Sequence, residues 1–359
     1  MQITIIPMVE GYEQVVRCHD PRSGLRALIS IHNTTLGPAL GGMRMWPYRA
    51  ERDALLDANR LAKSMTYKAA AADAPFGGGK AVIIGDPQWG KSEALLRAMG
   101  RFIDALEGRY ITAEDVGTTV EDMVLVRRET PYVAGLPRQM GSSGDPARFT
   151  ALGVFLGIRT CVARRLHTKT LQGVRVAMQG CGNVARQLCQ HLAQAGAELI
   201  VTDVVLAKAQ WVMQEYGARL VAPEAIYDVP CEVYAPCALG GTLNDDTIPR
   251  LQCQIVAGSA NNQCLRAEHS DALRQRGIVY APDFVINAGG LLNIASEYDP
   301  AGYDARRAKA KVHNIANVLC DILDTAEREG ISTHCAAMRR AERRLARGRL
   351  ATTRQEAWV

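Results

Sequence analysis

A glycine-rich segment between a predicted strand and a predicted helix constrains the fold of this chain more than any other feature. Residues 180–185 read Gly-Cys-Gly-Asn-Val-Ala, follow an apolar run at 174–178 and precede leucines at helical spacing. Gly180 permits a tight turn, Gly182 lets a bound group approach the backbone, and the alanine at 185 lets helix and strand pack closely. The pattern therefore predicts a strand–turn–helix unit that holds the pyrophosphate of a dinucleotide.

The acidic residue that ends the next predicted strand indicates which dinucleotide this is. That residue is Asp203, 21 positions after Gly182. A carboxylate at this distance accepts hydrogen bonds from the ribose hydroxyls of adenosine, and its charge repels a 2′-phosphate. The sequence thus favours NAD over NADP. The competing interpretation is an ordinary turn followed by a surface aspartate.

Strand-like runs continue at regular intervals along this part of the chain. They occur at 174–178, 199–202, 232–234, 255–256 and 279–281, separated by helical or loop segments. Alternating strands and helices predict an α/β fold with a parallel, doubly wound sheet of the Rossmann type.

A second α/β pattern precedes the Rossmann-type one. It has an alternating segment at 26–32, a helix over 50–67 and a buried strand at 81–84, which places Lys80 at the entrance of that strand. With 359 residues, 48% of them hydrophobic, the chain exceeds the roughly 250 to 300 residues that one core supports. We therefore expect two domains with a cleft between them.

The boundary between the predicted domains falls in the small, polar, proline-broken segment 141–146. Residues 1–144 form the expected α/β domain for substrate binding, catalysis and oligomerisation, and residues 145–324 form the NAD-binding domain. A helix at about 304–328 and an arginine-rich helix end the chain, and we expect residues from about 325 to 359 to complete the first domain. The helical spacing of the arginines predicts one solvated face.

The composition argues against several functional classes. The ten cysteines lack Cys-x-x-Cys spacing and the seven histidines do not cluster, so we expect no metal site. Scattered cysteines indicate a reducing compartment, and the sequence has neither a leader pattern nor about 18 consecutive apolar residues. We therefore expect a cytoplasmic protein without a membrane partner. The net charge of +5 comes mainly from the C-terminal arginines, which lack a recognition motif, so we expect no nucleic-acid partner.

Two lysines, Lys68 and Lys80, bracket an alanine-rich run that ends in three glycines, in a segment otherwise suited to burial. Two ammonium groups that lie close together each disfavour the charged form of the other, so one of them can act as a base near neutral pH. The glycines would let a substrate and a nicotinamide approach the backbone. The competing interpretation is a pair of lysines whose aliphatic chains cover apolar surface.

Seven segments, in order along nearly the whole chain, resemble the Glu/Leu/Phe/Val dehydrogenase family, and within it the leucine, valine, phenylalanine and tryptophan dehydrogenase branch. They are residues 37–42, 65–68, 77–87, 114–117, 235–241, 257–263 and 281–290. The resemblance implies NAD-dependent, reversible oxidative deamination of an L-amino acid to a 2-oxo acid and ammonia. It also implies a homo-oligomer, either a dimer or an octamer.

The resemblance further implies roles for single residues. Lys80 would be the general base, Lys68 would bind the substrate carboxylate, Asp115 would relay protons to and from the amine nitrogen, and Asn262 would orient the amino group. Water must be deprotonated to attack the iminium formed at Cα, which requires a base whose pKa lies near the working pH. A free lysine, with a pKa of about 10.4, is too fully protonated. Burial and the Lys68 charge would lower the pKa of Lys80, while Asp115 would oppose that shift.

Other family positions map onto cofactor contacts. Around the nicotinamide and its ribose they are Thr150, Ala238, Asn261 and Asn287, and at the pyrophosphate they are Asn183 and Val184 beside Gly180 and Gly182. The bulky pair Arg148–Phe149 departs from the family pattern next to Thr150 and leaves the fit there open.

The remaining family positions would contact the substrate. They are Leu40, Gly41, Ala113, Leu291 and Ile294. An apolar pocket excludes glutamate, because burying an unpaired charge is costly. Ala113 is typical of a leucine-type pocket and Leu291 of an aromatic-type pocket. The substrate therefore stays open between branched-chain and aromatic L-amino acids, with the leucine/phenylalanine range slightly favoured.

Three alternatives stay open at this point. One is an L-tryptophan dehydrogenase, which whole-chain texture also suggests. Another is a different NAD oxidoreductase, such as a 2-hydroxy-acid dehydrogenase, which would need a histidine base, although only His32 lies in the flanking segments. The third is a catalytically silent NAD-binding protein, which would not need Lys68, Lys80 and Asp115 together.

Overall fold

The computed structural model describes residues 2–7 and 9–356 of the chain. The predicted first domain also included residues 1, 8 and 357–359, which lie outside the described residues. Among the helices that are described, none combines the length and the apolar character needed to cross a membrane.

The first of two compact units contains a mixed sheet, with six strands among the described residues. The strands are β1 (Gln2–Ile5), β2 (Gln14–Asp20), β3 (Leu25–Asn33), β4 (Ala39–Trp46), β5 (Gly77–Ile84) and β6 (Tyr110–Glu114). Their spatial order is β1-β2-β3-β5-β4-β6. The pairs β1–β2, β2–β3 and β3–β5 are antiparallel, whereas β4 pairs in parallel with both β5 and β6. The accompanying helices are α1 (Glu51–Ala71), α2 (Glu93–Asp104) and α3 (Val120–Arg127).

The alternation of residues along β5 assigns the two faces of this sheet. Ala81 and Ile83 point to one face, where they join the core formed with α2 and α3. Val82 points to the other face and packs on α1. Because successive side chains alternate, Lys80 shares the α1 face with Val82. β5 begins at Gly77, so Lys80 lies inside the strand, and the prediction that it lies at the strand entrance is wrong.

The glycines of β5 let the protein pack closely on itself. A Cβ at Gly78 would lie 2.1 Å from Thr66 N and 2.5 Å from Ala62 O in α1. A Cβ at Gly79 would lie 2.7 Å from the Tyr110 ring. Helix α1 therefore sits directly on the backbone of β5. This packing explains the glycines without the substrate approach that the sequence suggested.

The second unit contains a parallel sheet, again with six strands in the described part of the chain. The strands are β7 (Arg175–Gln179), β8 (Glu198–Thr202), β9 (Arg219–Leu220), β10 (Val233–Pro236), β11 (Ile255–Val256) and β12 (Val279–Tyr280). Their order is β12-β11-β10-β7-β8-β9, with parallel pairing throughout. The order reverses between β7 and β10, as in the Rossmann fold. The prediction of an α/β, doubly wound sheet is confirmed, although the two-residue strand β9 was missed.

Nine further helices follow in chain order within the described residues. They are α4 (Ala147–Arg165), α5 (Asn183–Gln194), α6 (Leu206–Tyr216), α7 (Glu268–Gln275), α8 (Asp283–Ile286), α9 (Gly289–Ala295), α10 (Ala305–His313), α11 (Ile315–Glu329) and α12 (Thr333–Glu356). The helix predicted at about 304–328 is in fact two helices, α10 and α11, which are separated at Asn314.

The chain changes unit four times. The first unit comprises Met1–Asp145, Ile294–Asp304 and Ala341–Val359, and the second comprises Pro146–Asn293 and Ala305–Arg340. The first change falls inside the predicted linker, and the other boundaries fall within α9, before α10 and within α12.

The C-terminal boundary differs from the predicted one. The sequence suggested that the chain joins the first domain at about residue 325, whereas residues 305–340 belong to the second unit. The reason is that α11 packs against α4. Arg164 of α4 also forms ion pairs of 2.6 Å with Asp324 and Glu327 of α11. An amphipathic pattern predicts a buried helix face but not which domain covers it.

Most of the arginines between positions 339 and 349 are exposed, in line with the predicted solvated face, but Arg344 is half-buried. Arg344 Nη1 donates hydrogen bonds to the carbonyls of Ala69 at 3.0 Å and Ala70 at 3.2 Å, at the C-terminal end of α1. A cation at this end satisfies terminal carbonyls and complements the helix dipole. Arg344 therefore stabilises α1 within the first unit.

We predict that Gly78→Ala lowers the free energy of unfolding by about 3 kcal/mol, because the added methyl group meets backbone atoms of α1. Urea unfolding followed by circular dichroism measures the change. The matched control is Gly182→Ala, where a Cβ would have no neighbour within 4 Å. The control substitution should lower the free energy of unfolding by less than about 1 kcal/mol. Equal losses in the two variants would contradict the packing role of Gly78.

Candidate active site

A buried lysine and an aspartate form the centre of the candidate site in the first unit. Lys80 extends from β5 on the α1 face, and Asp115 directly follows β6. Lys80 Nζ lies 2.8 Å from Asp115 Oδ1, and only 5% of the Lys80 side chain is exposed. The fold therefore brings together two predicted catalytic residues that are 35 positions apart in the chain.

The loop after β6 holds Asp115 in place. The backbone N–H of Asp115 donates to Thr118 Oγ1 at 3.0 Å, and the Thr118 hydroxyl donates to the Met43 carbonyl of β4 at 2.8 Å. Gly117 has a φ of 82°, and a Cβ there would lie 2.0 Å from Met45 O, so the turn requires glycine. Strand β4 thus fixes the loop that carries Asp115.

Burial and neighbouring charges act in opposite directions on this pair. Burial lowers the pKa of the Lys80 ammonium group, Asp115 raises it and Arg44 lowers it, and the net pKa lies below the ordinary value of 10.5. Burial raises the pKa of the Asp115 carboxyl, but the charges of Lys80 and Arg44 outweigh burial and hold that pKa below its ordinary value. At neutral pH Asp115 is therefore ionised, and Lys80 loses its proton more readily than a lysine in water.

Sequence analysis missed three residues that support this pair. Arg44 Nε donates to Asp115 Oδ2 at 2.9 Å, and Arg44 Nη1 donates to Asp57 Oδ2 at 2.9 Å. The Tyr48 hydroxyl donates to the same Asp57 oxygen at 2.6 Å. The Arg44 charge lowers the pKa of Lys80, whereas the sequence had suggested the charge of Lys68 for this role.

A signal for Arg44 was present in the sequence. It stands between Met43 and Met45 in a strand whose other side chains are mostly buried. Arginine is almost never buried without a partner, so its position indicates a paired charge. The partners themselves could not be identified, because they come from α1 and from the loop after β6.

Other predicted substrate residues of this unit lie on neighbouring strands. In the pairing of β4 with β6, Leu40 lies opposite Ile111 and Gly42 opposite Ala113. Leu40 and Ala113 are buried, and strand alternation places both on the sheet face of Lys80. Gly41 packs against β5 instead, since a Cβ there would lie 1.8 Å from the Gly79 carbonyl oxygen.

Lys68 lies near the C-terminal end of α1, the helix that covers the sheet face of Lys80. Its side chain is half-buried. Lys68 follows Asp57 by about three helical turns, so both lie on the same side of α1. The two lysines that bracket the glycines thus belong to elements that pack directly on each other.

In the second unit, the glycine motif adopts the predicted strand–turn–helix geometry. Gly180 follows β7 with a φ of 100°, and Gly182 is the N-cap of α5. No side chain caps this helix, and a Cβ at Gly182 would have no neighbour within 4 Å. The start of α5, at Asn183 and Val184, therefore offers space and a positive helix dipole to a phosphate.

Asp203 links the glycine motif to the end of β8. Its Oδ2 accepts a hydrogen bond from the Cys181 N–H at 2.8 Å, and its Oδ1 accepts one from the Val205 N–H at 2.8 Å. Each carboxylate oxygen can accept a second hydrogen bond. Asp203 can therefore hold the loop and still bind ribose hydroxyls.

Loops at the carboxyl ends of the parallel strands hold other predicted cofactor residues. Gly180 after β7 lies so close to Ala238 after β10 that a Cβ on Gly180 would be 2.8 Å from Ala238 Cβ. Asn287 Nδ2 donates to Asn261 Oδ1 at 2.8 Å, while the buried Asn287 Oδ1 has no partner among the described residues. A bound polar group would satisfy this acceptor. These residues fit a dinucleotide at the switch point of the sheet.

Asn262 lies in an exposed turn with a φ of 52°, a conformation that asparagine tolerates better than most residues. The next residue, Gln263, is fully buried and was missed from the sequence. Its Nε2 donates to the carbonyls of Gly258 at 2.7 Å and Ala260 at 3.0 Å. Gln263 thus fixes the turn that presents Asn261 and Asn262.

Arg148 and Phe149, next to Thr150, contact each other. Phe149 is buried, and Arg148 Cζ lies 4.6 Å from the centre of its ring. The Thr150 hydroxyl donates to the Pro146 carbonyl at 3.2 Å, and a Cβ at Gly290 would lie 2.6 Å from Thr150 Oγ1. The bulky pair therefore packs within the unit, and the first turn of α4 lies close to the start of α9.

Leu291 and Ile294 lie one turn apart on α9 but belong to different units. Leu291 is buried and Ile294 is half-buried.

In the described part of the chain, no group of three or more His, Cys, Asp or Glu residues could hold a metal ion. The ten cysteines are all free thiols.

The Rossmann-type unit with an uncapped helix N-terminus, together with the buried Lys80–Asp115 pair, defines a nicotinamide-dependent oxidoreductase. Residues 12–132 match the family model described as Glu/Leu/Phe/Val dehydrogenase, dimerisation domain. Residues 202–353 match the model described as Glutamate/Leucine/Phenylalanine/Valine dehydrogenase. The chain belongs to this family of NAD(P)-dependent amino-acid dehydrogenases, which are oxidoreductases that act on CH–NH2 donors.

Individual relatives support the same assignment. The chain is 54% identical to a leucine dehydrogenase from Thermoactinomyces intermedius, over 93% of this chain and 91% of that protein. The structure of L-tryptophan dehydrogenase from Nostoc punctiforme superimposes with a TM-score of 0.83 at 48% identity, over 94% of this chain and 97% of that one. A hetero-hexameric glutamate dehydrogenase from Thermus thermophilus has a TM-score of 0.79 at 25% identity, over 95% and 90% of the two chains.

The lowered pKa of Lys80 predicts a pH dependence of stability. Between that pKa and 10.5 the unfolded chain binds more protons than the folded protein, so Lys80 makes the free energy of unfolding rise with pH in this window. Lys80→Met should remove this rise, which urea unfolding at several pH values would detect. The exposed lysine variant Lys63→Met is the control and should keep it. If the free energy of unfolding of Lys80→Met rises with pH as steeply as that of the unaltered protein, the lowered pKa of Lys80 is contradicted.

Proposed function

We propose that this chain catalyses the NAD-dependent, reversible oxidative deamination of an apolar L-amino acid to the 2-oxo acid and ammonia. The observation that carries the proposal is the buried contact of 2.8 Å between Lys80 Nζ and Asp115 Oδ1. A buried lysine with a lowered pKa beside an ionised carboxylate is suited to transfer protons near neutral pH. Family membership supplies the reaction class in which such a pair is needed.

Lys80 acts as the general base in this proposal. When bound, NAD supplies the acceptor for the hydride that leaves the substrate Cα. Neutral Lys80 accepts the proton of the substrate ammonium group and releases it to solvent, and the neutral amine of Lys80 then accepts a proton from the water that attacks the iminium carbon. Both steps require Lys80 to lose its own proton at the working pH, which its lowered pKa favours.

The other predicted residues bind and orient the substrate. Asp115 relays protons to and from the amine nitrogen, which leaves as ammonia. Lys68 binds the substrate carboxylate, and Asn262 orients the amino group. The half-buried position of Lys68 on α1, the helix that covers the sheet face of Lys80, supports this assignment.

NAD is the proposed cofactor rather than NADP. Asp203 stands at the end of β8 and is held by two backbone N–H groups. A negative charge fixed at this position favours ribose hydroxyls and repels a 2′-phosphate. In this proposal the pyrophosphate is held by the glycine motif, at Gly180, Gly182, Asn183 and Val184. Thr150, Ala238, Asn261 and Asn287 surround the nicotinamide and its ribose.

The proposed substrates are branched-chain and aromatic L-amino acids. The side-chain contacts are assigned to Leu40, Ala113, Leu291 and Ile294, with Gly41 at the backbone. All of these side chains are apolar, so a glutamate carboxylate would be left without a partner. Each methylene changes transition-state binding by only about 1 to 3 kcal/mol, which permits a range from leucine to tryptophan. Relatives named for leucine and for tryptophan are consistent with this range.

We also propose a homo-oligomer, a dimer or an octamer, that works in the cytoplasm. The family model matched by residues 12–132 is described as a dimerisation domain. The free thiols of the ten cysteines suit a reducing compartment.

The proposal predicts NADH formation with leucine, valine, phenylalanine or tryptophan, and little with glutamate. Lys80→Ala should lower kcat/KM by about 10²- to 10⁴-fold, the usual contribution of a general base. The activity of the unaltered protein should rise with pH between about pH 7 and 10, as Lys80 loses its proton. This rise is the basic limb of the pH profile. Lys63→Ala, an exposed lysine on α1, is the matched control. Near-normal rates in Lys80→Ala would refute the assigned mechanism.

Asp203→Asn should relax the preference for NAD. The amide keeps the shape of the carboxylate and one hydrogen-bond acceptor but removes the charge. The ratio of kcat/KM with NADP to that with NAD should rise about fivefold, because like charges about 4 Å apart repel by about 1 kcal/mol in water. Val205→Ala, which leaves the accepting carboxylate in place, is the control. An unchanged ratio would show that Asp203 does not select the cofactor.

A further inference from the structure

Arg44 bridges two carboxylates beside the proposed base. Its Nε lies 2.9 Å from Asp115 Oδ2 and its Nη1 lies 2.9 Å from Asp57 Oδ2. The exposed fractions of the Arg44, Asp57 and Asp115 side chains are 22%, 15% and 24%. A guanidinium group donates from a rigid planar fork, so it fixes the direction of a carboxylate as well as its charge.

Asp57 holds the far side of this guanidinium group in place. The Tyr48 hydroxyl donates to Asp57 Oδ2 at 2.6 Å, and Arg60 Nη2 donates to Asp57 Oδ1 at 3.1 Å. Both oxygens of Asp57 are therefore engaged, and α1 carries a fixed anchor for Arg44. On the near side, Gly42 leaves room for Asp115, because a Cβ there would lie 2.8 Å from Asp115 Cβ.

We propose that Arg44 is a positioning residue for the reaction, which holds Oδ2 of Asp115 and thereby directs Oδ1 at Lys80 Nζ. The inference rests on the proposed function, since Lys80 and Asp115 transfer protons only in that reaction. Arg44 itself touches no reacting atom in this proposal. It acts through Asp115, whose Oδ1 could otherwise rotate away from Lys80.

Charged groups face Lys80 from several elements packed around it. Arg44 comes from β4, Asp57 from α1 and Asp115 from the loop after β6, while the residue opposite Lys80 on β3 is the uncharged Ser30. Arg44 therefore stands between two carboxylates and shares the charge of Asp115 with Lys80.

Loss of the Arg44 charge has a defined sign. Without Arg44, Lys80 loses a positive neighbour, and Asp115 attracts the Lys80 ammonium group more strongly. Both effects raise the pKa of Lys80, so less of it is neutral near pH 7 and the basic limb of activity moves upward. A purely structural arginine would instead lower activity by the same factor at every pH.

The test compares pH profiles of kcat and KM for the best apolar amino acid, with NAD, from about pH 7 to 10.5. Arg44→Met should move the basic limb upward by about one pH unit, lower kcat about tenfold at pH 8 and recover it at high pH. Arg44→Lys keeps the charge but cannot bridge both carboxylates. It should lower kcat while leaving the limb in place.

Asp57→Asn gives an opposite and independent result. It removes a negative charge near Lys80, and Arg44 then pairs with Asp115 alone. Both changes lower the pKa of Lys80, so the basic limb should move to lower pH. Arg52→Met is the matched control, because Arg52 is also an arginine, lies on α1, is 92% exposed and pairs with Asp53 rather than with Asp57; its profile should equal that of the unaltered protein. If Arg44→Met does not fold by circular dichroism, Arg44→Lys and Asp57→Asn decide the question.

Two results separate this inference from the proposed function. If Lys80→Ala keeps its rate, the proposed function fails. If Lys80→Ala loses activity, but the limb stays in place in Arg44→Met and Asp57→Asn, only the role of Arg44 is overturned. Profiles of Arg44→Met that run parallel to those of the unaltered protein at every pH would overturn it as well.

Discussion

The ion pair between Lys80 and Asp115 depends on backbone packing that only glycine permits. Gly78 lets α1 approach β5, and Gly42 leaves the space that Asp115 occupies beside Lys80. Removing two charges from water is costly unless their geometry is good and further hydrogen bonds satisfy them. Here the sheet itself supplies that geometry, and Arg44 supplies the further hydrogen bonds. The chemistry of this unit is therefore a consequence of how tightly three strands and one helix pack.

The two units use different parts of the chain for their tasks. In the Rossmann-type unit, backbone features dominate: the turn at Gly180, the uncapped start of α5 and the loops after the parallel strands. Backbone N–H groups and a helix dipole suit a phosphate, which has the same shape in every dinucleotide. In the first unit, side chains dominate, since proton transfer needs groups whose pKa can be adjusted by their surroundings.

Local patterns predicted what depends on local physics. The glycine motif, the parallel strands and the helix predicted over residues 50–67 follow from spacing along the chain, and the structure contains each of them, with the helix at Glu51–Ala71. The strand that carries Lys80 was predicted too short, because three glycines have low strand propensity and gave no sign that α1 packs on them. Arg44 and Asp57 were missed for another reason. Their pairing joins β4, α1 and the loop after β6, and no local pattern reveals which distant charges meet.

The low pKa of Asp115 decides the order in which protons move in the proposed reaction. Burial raises that pKa, but Lys80 and Arg44 together hold it below its ordinary value, so Asp115 cannot keep a proton while Lys80 is charged. Once Lys80 is neutral, one positive neighbour is gone and the affinity of Asp115 for a proton rises. The two groups therefore titrate as one system, whose apparent pKa values belong to the pair. The relay of protons between the amine nitrogen and Asp115 is thus favoured only while Lys80 is neutral.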